Sequence, residues 1–354
     1  MLRLVELVHS ILGKHRADDS RSGWISGLSE SEGEQYPTAG GLRIGKPVPE
    51  RKPGEQYDEQ FEWERDGQYF HYLTKWMLAL NRVGQVTGDP RYNDWAIELA
   101  KAAYRGFVYQ PRGGGAKRVY WKMNVDLSRP AVPSMGQHDP LDGYITFAAL
   151  TARELGGISA SSALARETMD MRGMCEAIPG WATSDALGIG GLLTEAAHLL
   201  RLIASGHIKF DDLLPRLLID AQRSLQAFNS GRELVLPAGA RLAFRELGLS
   251  IGLRCLDPMR AMLEQCAGRF DGAYSTAQLV ALLESVARFA PLADTIENFW
   301  LSADAQESAT WEAHLDINSV MLAASLVPDA LVMPDVLGSA PNKHDGPAVA
   351  AHTN

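Results

Sequence analysis

The residues of this chain best suited to chemistry gather between Ser134 and Tyr144, where Gln137, His138, Asp139, Asp142 and Tyr144 stand close together. Asp139 followed by Pro140 predicts a helix start, with Asp139 as N-cap, Pro140 at the first helical position and Asp142 at the third. Carboxyls about one turn apart on one side of a helix interact. If both face a concave, partly dry site, their ionisations couple and one keeps its proton toward neutral pH, which makes it a usable acid. The same Asp-x-x-Asp spacing also serves as a plain solvated cap. Gln137, His138 and Tyr144 favour the site, because a cap has no need of so many hydrogen-bonding neighbours.

A second cluster runs from Phe61 to Trp76. Gln68, His71 and Lys75 share a helical face there, interleaved with Trp63, Tyr69, Tyr72 and Trp76. Aromatic faces beside planar polar groups suit sugar recognition, since apolar ring faces stack while hydroxyls find hydrogen bonds. An aromatic core stripe with a satisfied histidine has the same pattern. A third cluster, Trp311 to Ser319, contributes His314 and Asp316; Trp121 with Lys122, Arg245 with Glu246, and Trp181 with Asp185 form smaller groups. Other chemistries find less support. The Gly113 to Gly115 run lacks a dinucleotide or P-loop pattern, and neither a zinc-protease HExxH nor a GxSxG elbow occurs. Cys175, Cys255 and Cys266 have neither disulfide nor zinc spacing. No metal or cofactor is expected.

These residues need elements to hold them. The chain has 354 residues, 46% hydrophobic and 22% charged, as a packed globular protein does, and its formal charge of -9 argues against a nucleic-acid partner. No run approaches the roughly 20 apolar residues of a membrane span, and the odd, unpatterned cysteines fit a reducing cytoplasm. An amphipathic helix is expected over Leu2 to Leu12, packing through Leu4, Val5, Val8, Ile11 and Leu12. Ala17 to Asp58 reads as irregular, with Gly23 to Arg51 an ordered lid that buries Trp24 and Tyr36. Beyond Asp66 helical periodicity persists, first as a hairpin broken at Thr87 to Pro90, then over about 139–156, 160–177, 184–205, 211–229, 240–266, 275–290 and 314–327. A short strand is allowed near Val119 to Val125. The prediction is one all-α domain over 1–337, followed by a mobile tail over 338–354.

On these features, roughly residues 58–330 resemble the six-hairpin (α/α) toroid of the glycosidase-like superfamily. The resemblance lies in the hairpin count, the Trp- and Tyr-rich helix openings, and the placement of Gln137 to Gly143 and Trp311 to Asp316. It implies a funnel at the N-terminal ends of the inner helices and a small sugar or oligosaccharide ligand. Asp139, Asp142 and His138 are then the catalytic candidates. Gln68, His71, Tyr72, Trp121, Gln137, Tyr144, Glu246, His314 and Asp316 are the substrate-binding candidates. The expected activity is glycoside hydrolysis by paired carboxyls. A sugar epimerase using His71, His138 and His314 as proton shuttles, or a toroid that binds or scaffolds without catalysis, are the alternatives.

Overall fold

Apolar residues three and four apart generate most of the elements, and the chain is 63% helix and 5% strand in a computed structural model. The structure describes residues 2–52, 54–134, 136–152, 162–209, 212–266, 270 and 274–327. The expected tail over 338–354 and the breaks expected at Gly156-Gly157 and Pro328 lie outside the described residues, as does most of Gly268 to Gly272. In chain order the N-terminal part carries α1 (Leu2–Leu12), α2 (Glu30–Gln35), α3 (Glu59–Glu64), β1 (Gln68–Tyr69), α4 (Phe70–Thr87), α5 (Arg91–Phe107), β2 (Val108–Tyr109), β3 (Arg118–Val119), β4 (Lys122–Met123) and β5 (Pro130–Val132). Then follow α6 (Asp139–Thr151), α7 (Ala165–Ala177), α8 (Ala186–Ala204), α9 (Leu213–Ser230), α10 (Ala243–Arg254), α11 (Leu256–Gln265), α12 (Thr276–Ala287), α13 (Pro291–Leu301), α14 (Ala303–Gln306), α15 (Ala309–Glu312) and α16 (Leu315–Leu326).

Helix contacts define an inner series, α4 on α6, α6 on α8, α8 on α10 and α10 on α16. Outer helices back it: α5 on α4, α7 on α6, α9 on α8, and α13 on α10. Each of α4, α6, α8 and α10 therefore has one side on a helix of this second set. The core follows from this layering, with Phe70, Met77, Leu80, Phe107, Leu141, Phe147, Trp181 and Trp300 essentially inaccessible. α8 is long and apolar enough to cross a membrane by length and composition, but 67% of its apolar window is buried against its neighbours.

Several expectations needed revision. The allowed strand near Val119 to Val125 is split between β3 and β4, which pair with different partners: β2 with β3, and β1, β4 and β5 in one small antiparallel sheet. The helical run expected over 240–266 is two helices, with Cys255 ending α10 and starting α11. The segment read as irregular contains α2, closed by a capping box in which Ser29 and Glu32 satisfy each other's backbone N–H. Trp24 is buried as expected, but Tyr36 is 45% exposed. In α1, Val5 and His9 point inward while Leu4 and Ile11 stay exposed. The histidine takes a core position there because Trp76 Nε1 donates to its Nε2 at 3.1 Å and two indole edges pack against its ring. Burial pushes its pKa down to about 4, so the ring is neutral and can accept that bond.

The closest helix crossing is α8 on α10, and glycine makes it possible. A Cβ on Gly190 would lie 2.0 Å from the Gly248 carbonyl oxygen, and one on Gly252 would lie 2.5 Å from the Gly190 oxygen. Gly191, one residue along, has nothing within 4 Å of such a Cβ. Gly190→Ala is therefore expected to destabilise by about 1–3 kcal/mol through overpacking, whereas Gly191→Ala should be neutral or slightly stabilising, since alanine favours helix. Denaturant unfolding of the two variants checks this, and equal effects would contradict it.

Candidate functional site

Three inner helices meet at one ammonium group. Lys75 of α4 places its Nζ 2.8 Å from Glu195 Oε1 of α8 and 3.3 Å from Asp142 Oδ1 of α6. Glu195 is 1% and Asp142 9% exposed, while 53% of the Lys75 side chain is open to the cavity it faces. One cation cannot neutralise two buried carboxylates, so one of the carboxyls holds a proton. Desolvation raises Asp142 well above the ordinary carboxylate range, and the neighbouring Glu195 adds to the shift against the pull of Lys75. Burial alone would raise Glu195 as well, but Lys75 and His198 more than offset it and hold Glu195 ionised. Lys75 responds in kind: burial would lower its pKa, but the two acids hold it above the usual lysine range, which leaves the amine charged and excludes it as a neutral nucleophile. Glu195 Oε2 and His198 Nδ1 lie 3.9 Å apart, too far for a direct hydrogen bond, and neither has another partner.

The start of α6 departs from the expected cap by one residue. His138 is the N-cap, Asp139 and Pro140 open the helix, and no side chain caps it. The Asp139 carboxylate turns back instead, accepting the Gly136 N–H at 3.2 Å. Burial raises its pKa to about 7, opposed only in part by that bond and by Lys75. A solvated cap would be ionised throughout the neutral range, so the environment of Asp139 is that of a buried acid.

Beside this cluster lies a cavity of about 960 Å³ lined by α4, α6, α8, α10 and α16. One end is aromatic. Trp63 meets Trp121 edge to face at 4.9 Å and Tyr69 in a stack at 6.2 Å, and Tyr69 in turn stacks on His71 at 5.5 Å. Lys122 supports this group from below. Fully buried, it donates to the Glu62 and Arg65 carbonyls at 2.5 and 2.6 Å, with its ammonium 5.0 Å from the Tyr69 ring centre. Burial lowers its pKa to about 8.

The structure brings only some of the expected residues to this place. His71, Tyr72 and Trp121 line the cavity, and Asp142 and Asp139 lie buried at the base of α6 beside Lys75. His71 is held neutral, its pKa pushed down to about 4 by burial and by Lys75. His138 bonds the Trp181 carbonyl through Nε2 at 3.1 Å, and Gln137 donates to the Gly180 carbonyl at 2.9 Å, so both tie α6 to the start of α8. Gln68 is structural: it donates to Gly40 and Val125 carbonyls and accepts from Leu42 N–H, packed against Gly41, where φ is +79° and any side chain would strike it. Tyr144 faces a separate surface pocket and stacks under Arg172. Glu246 is bound by Arg241 and Trp300 in the core. His314, edge-on to Phe244, and Asp316 are exposed at the start of α16.

Sequence reasoning missed Glu195 and His198 and left Lys75 as a neighbour of His71. Their signal is a lone acid and histidine inside the apolar run Ala186–Ala204, where a charge needs a buried partner. Among the described residues, no group of three or more His, Cys, Asp and Glu side chains is placed to hold a metal.

Two outcomes follow from the electrostatics. The folded state keeps the Asp139 proton up to about pH 7 while the unfolded chain releases it near the ordinary aspartate value of 3.8. Asp139 therefore lowers stability progressively as pH rises between these values, and Asp139→Asn should exceed the wild type at pH 8 by roughly 2–4 kcal/mol, with no difference below pH 4. Urea unfolding across this range measures it, and a constant difference would show a cap. Lys75→Met should cost about 3 kcal/mol at pH 7 by leaving Glu195 unpaired, and Glu195→Gln in the same chain should restore most of the loss in thermal melts.

Compared with known proteins, the chain matches no family model, no curated protein and no solved structure, so its site is read from its own geometry.

Proposed function

We propose that the protein is a carbohydrate-active enzyme of the glycoside-hydrolase type, its inner helices forming an arc of the (α/α) toroid kind around the cavity. The observation that carries this reading is the buried carboxyl pair Asp142 and Glu195, both on the Lys75 ammonium, beside a cavity with an aromatic end. Both acids sit behind Lys75, which lines the wall, so Lys75 would swing aside for Asp142 to protonate the leaving oxygen and Glu195 to meet the anomeric carbon or its water. Once ionised above about pH 7, Asp139 adds to the upward shift of Asp142. Trp63, Tyr69 and Trp121 would stack on the sugar faces.

A panel of fluorogenic glycosides and reducing-end assays on oligosaccharides tests the reading. Asp142→Asn and Glu195→Gln should each lower turnover roughly 10²–10⁴-fold, with melting temperature retained; unchanged turnover in both would overturn it. A second reading, sugar epimerisation, is favoured by the neutral His71 lining the same cavity as His198. It predicts solvent deuterium entering a free sugar, detected by NMR, and its loss in His71→Gln while glycoside cleavage is unaffected.

A further inference from the structure

Away from its aromatic end the cavity changes character. It follows α4 from Tyr72 to Gln85, about 20 Å along the helix axis. Through this length the wall is mainly apolar, with Ile145, Leu187, Ile251, Val320 and Met321 from four helices and Thr194, His198 and Ser205 among the scattered polar groups. A sugar alone has no use for such a surface, because its hydroxyls would be desolvated without partners. The charges on the wall are all of one sign. Lys46, Lys75, Arg82, Arg201 and Arg245 line the cavity, and among the described residues no aspartate or glutamate does, in a chain with 43 acids against 34 bases. Lys75 and Arg245 are answered from behind by Asp142, Glu195 and Asp185. Arg82 is different: among the described residues its guanidinium meets only Gln85, at 3.3 Å, near the end of this stretch.

We propose that the cavity binds an anionic amphiphile, with a single alkyl chain along the aliphatic wall and its carboxylate at Arg82. Burial of the chain supplies most of the affinity, and the guanidinium sets polarity by a charge-assisted bond. The inference deepens the glycoside reading, on which it rests for the identity of the substrate: a sugar at the Trp63 and Trp121 end, linked to an alkyl chain that ends in a carboxylate. Binding needs no turnover, so the two readings fail separately.

The test uses the full chain and three probes below their micelle concentrations: dodecanoate, dodecyltrimethylammonium and dodecyl maltoside. Titration is followed by calorimetry and by the fluorescence of the lining tryptophans Trp63, Trp76 and Trp121. Dodecanoate should saturate a single site about tenfold or more tighter than the cationic probe. Arg82→Gln should lower its affinity by about tenfold while leaving dodecyl maltoside unchanged. Val320→Asp, at a position 66% exposed and so tolerant of charge, should weaken dodecanoate by putting an anion on the wall. Absence of saturable dodecanoate binding, equal affinity for the cationic probe, or indifference to Arg82→Gln would each overturn the proposal.

Discussion

A single ammonium shared by two buried carboxyls organises the interior of this protein. Lys75, Asp142 and Glu195 come from α4, α6 and α8, so the cluster works as a pin through three inner helices whose outer faces are already committed to α5, α7 and α9. The charge imbalance within the pin is its chemically important property. With two buried acids and one partly exposed base, the cheapest state has one proton among the carboxyls. Buried ion pairs are poor sources of net stability.

The packing around the pin is arranged to keep it fixed while leaving space beside it. Gly190, Gly248 and Gly252 bring α8 and α10 together until backbone meets backbone, which gives the far wall little freedom to collapse inward. On the opposite side, buried Lys122 bonds the carbonyls of Glu62 and Arg65 and so holds the end of α3 beneath Trp63 and Tyr69. Burial there, with Lys46 nearby, lowers the Lys122 pKa to about 8. The N-terminal segment contributes less to the cavity than a lid would: Lys46 reaches the wall, but Tyr36 stays in solvent and the segment is anchored by its own α2 and by Gln68.

Most of the helices are legible along the chain, since periodicity and the stops at Gly and Pro are local signals that survive without neighbours, although α13, α14 and α15 fall outside the expected helical runs. Asp139 and Asp142 are legible too, because a Pro beside an acid at a helix start is a local signal. Which acids share a cation depends on how the helices pack. Asp139 and Asp142 are neighbours in sequence, yet the shared cation joins Asp142 to Glu195, fifty-three positions away, because side chains on separate inner helices meet only after those helices pack. Gln68, Glu246 and Tyr144 show the same limit from the other side. Each has the right residue type near a helix start, but a glutamine fits an anchor for loop carbonyls as well as a sugar hydroxyl, and a glutamate beside Arg241 is a core ion pair. Local pattern carries residue type and helical face; which face becomes a cavity wall is settled by what packs opposite, and that information lies in no single segment of the chain.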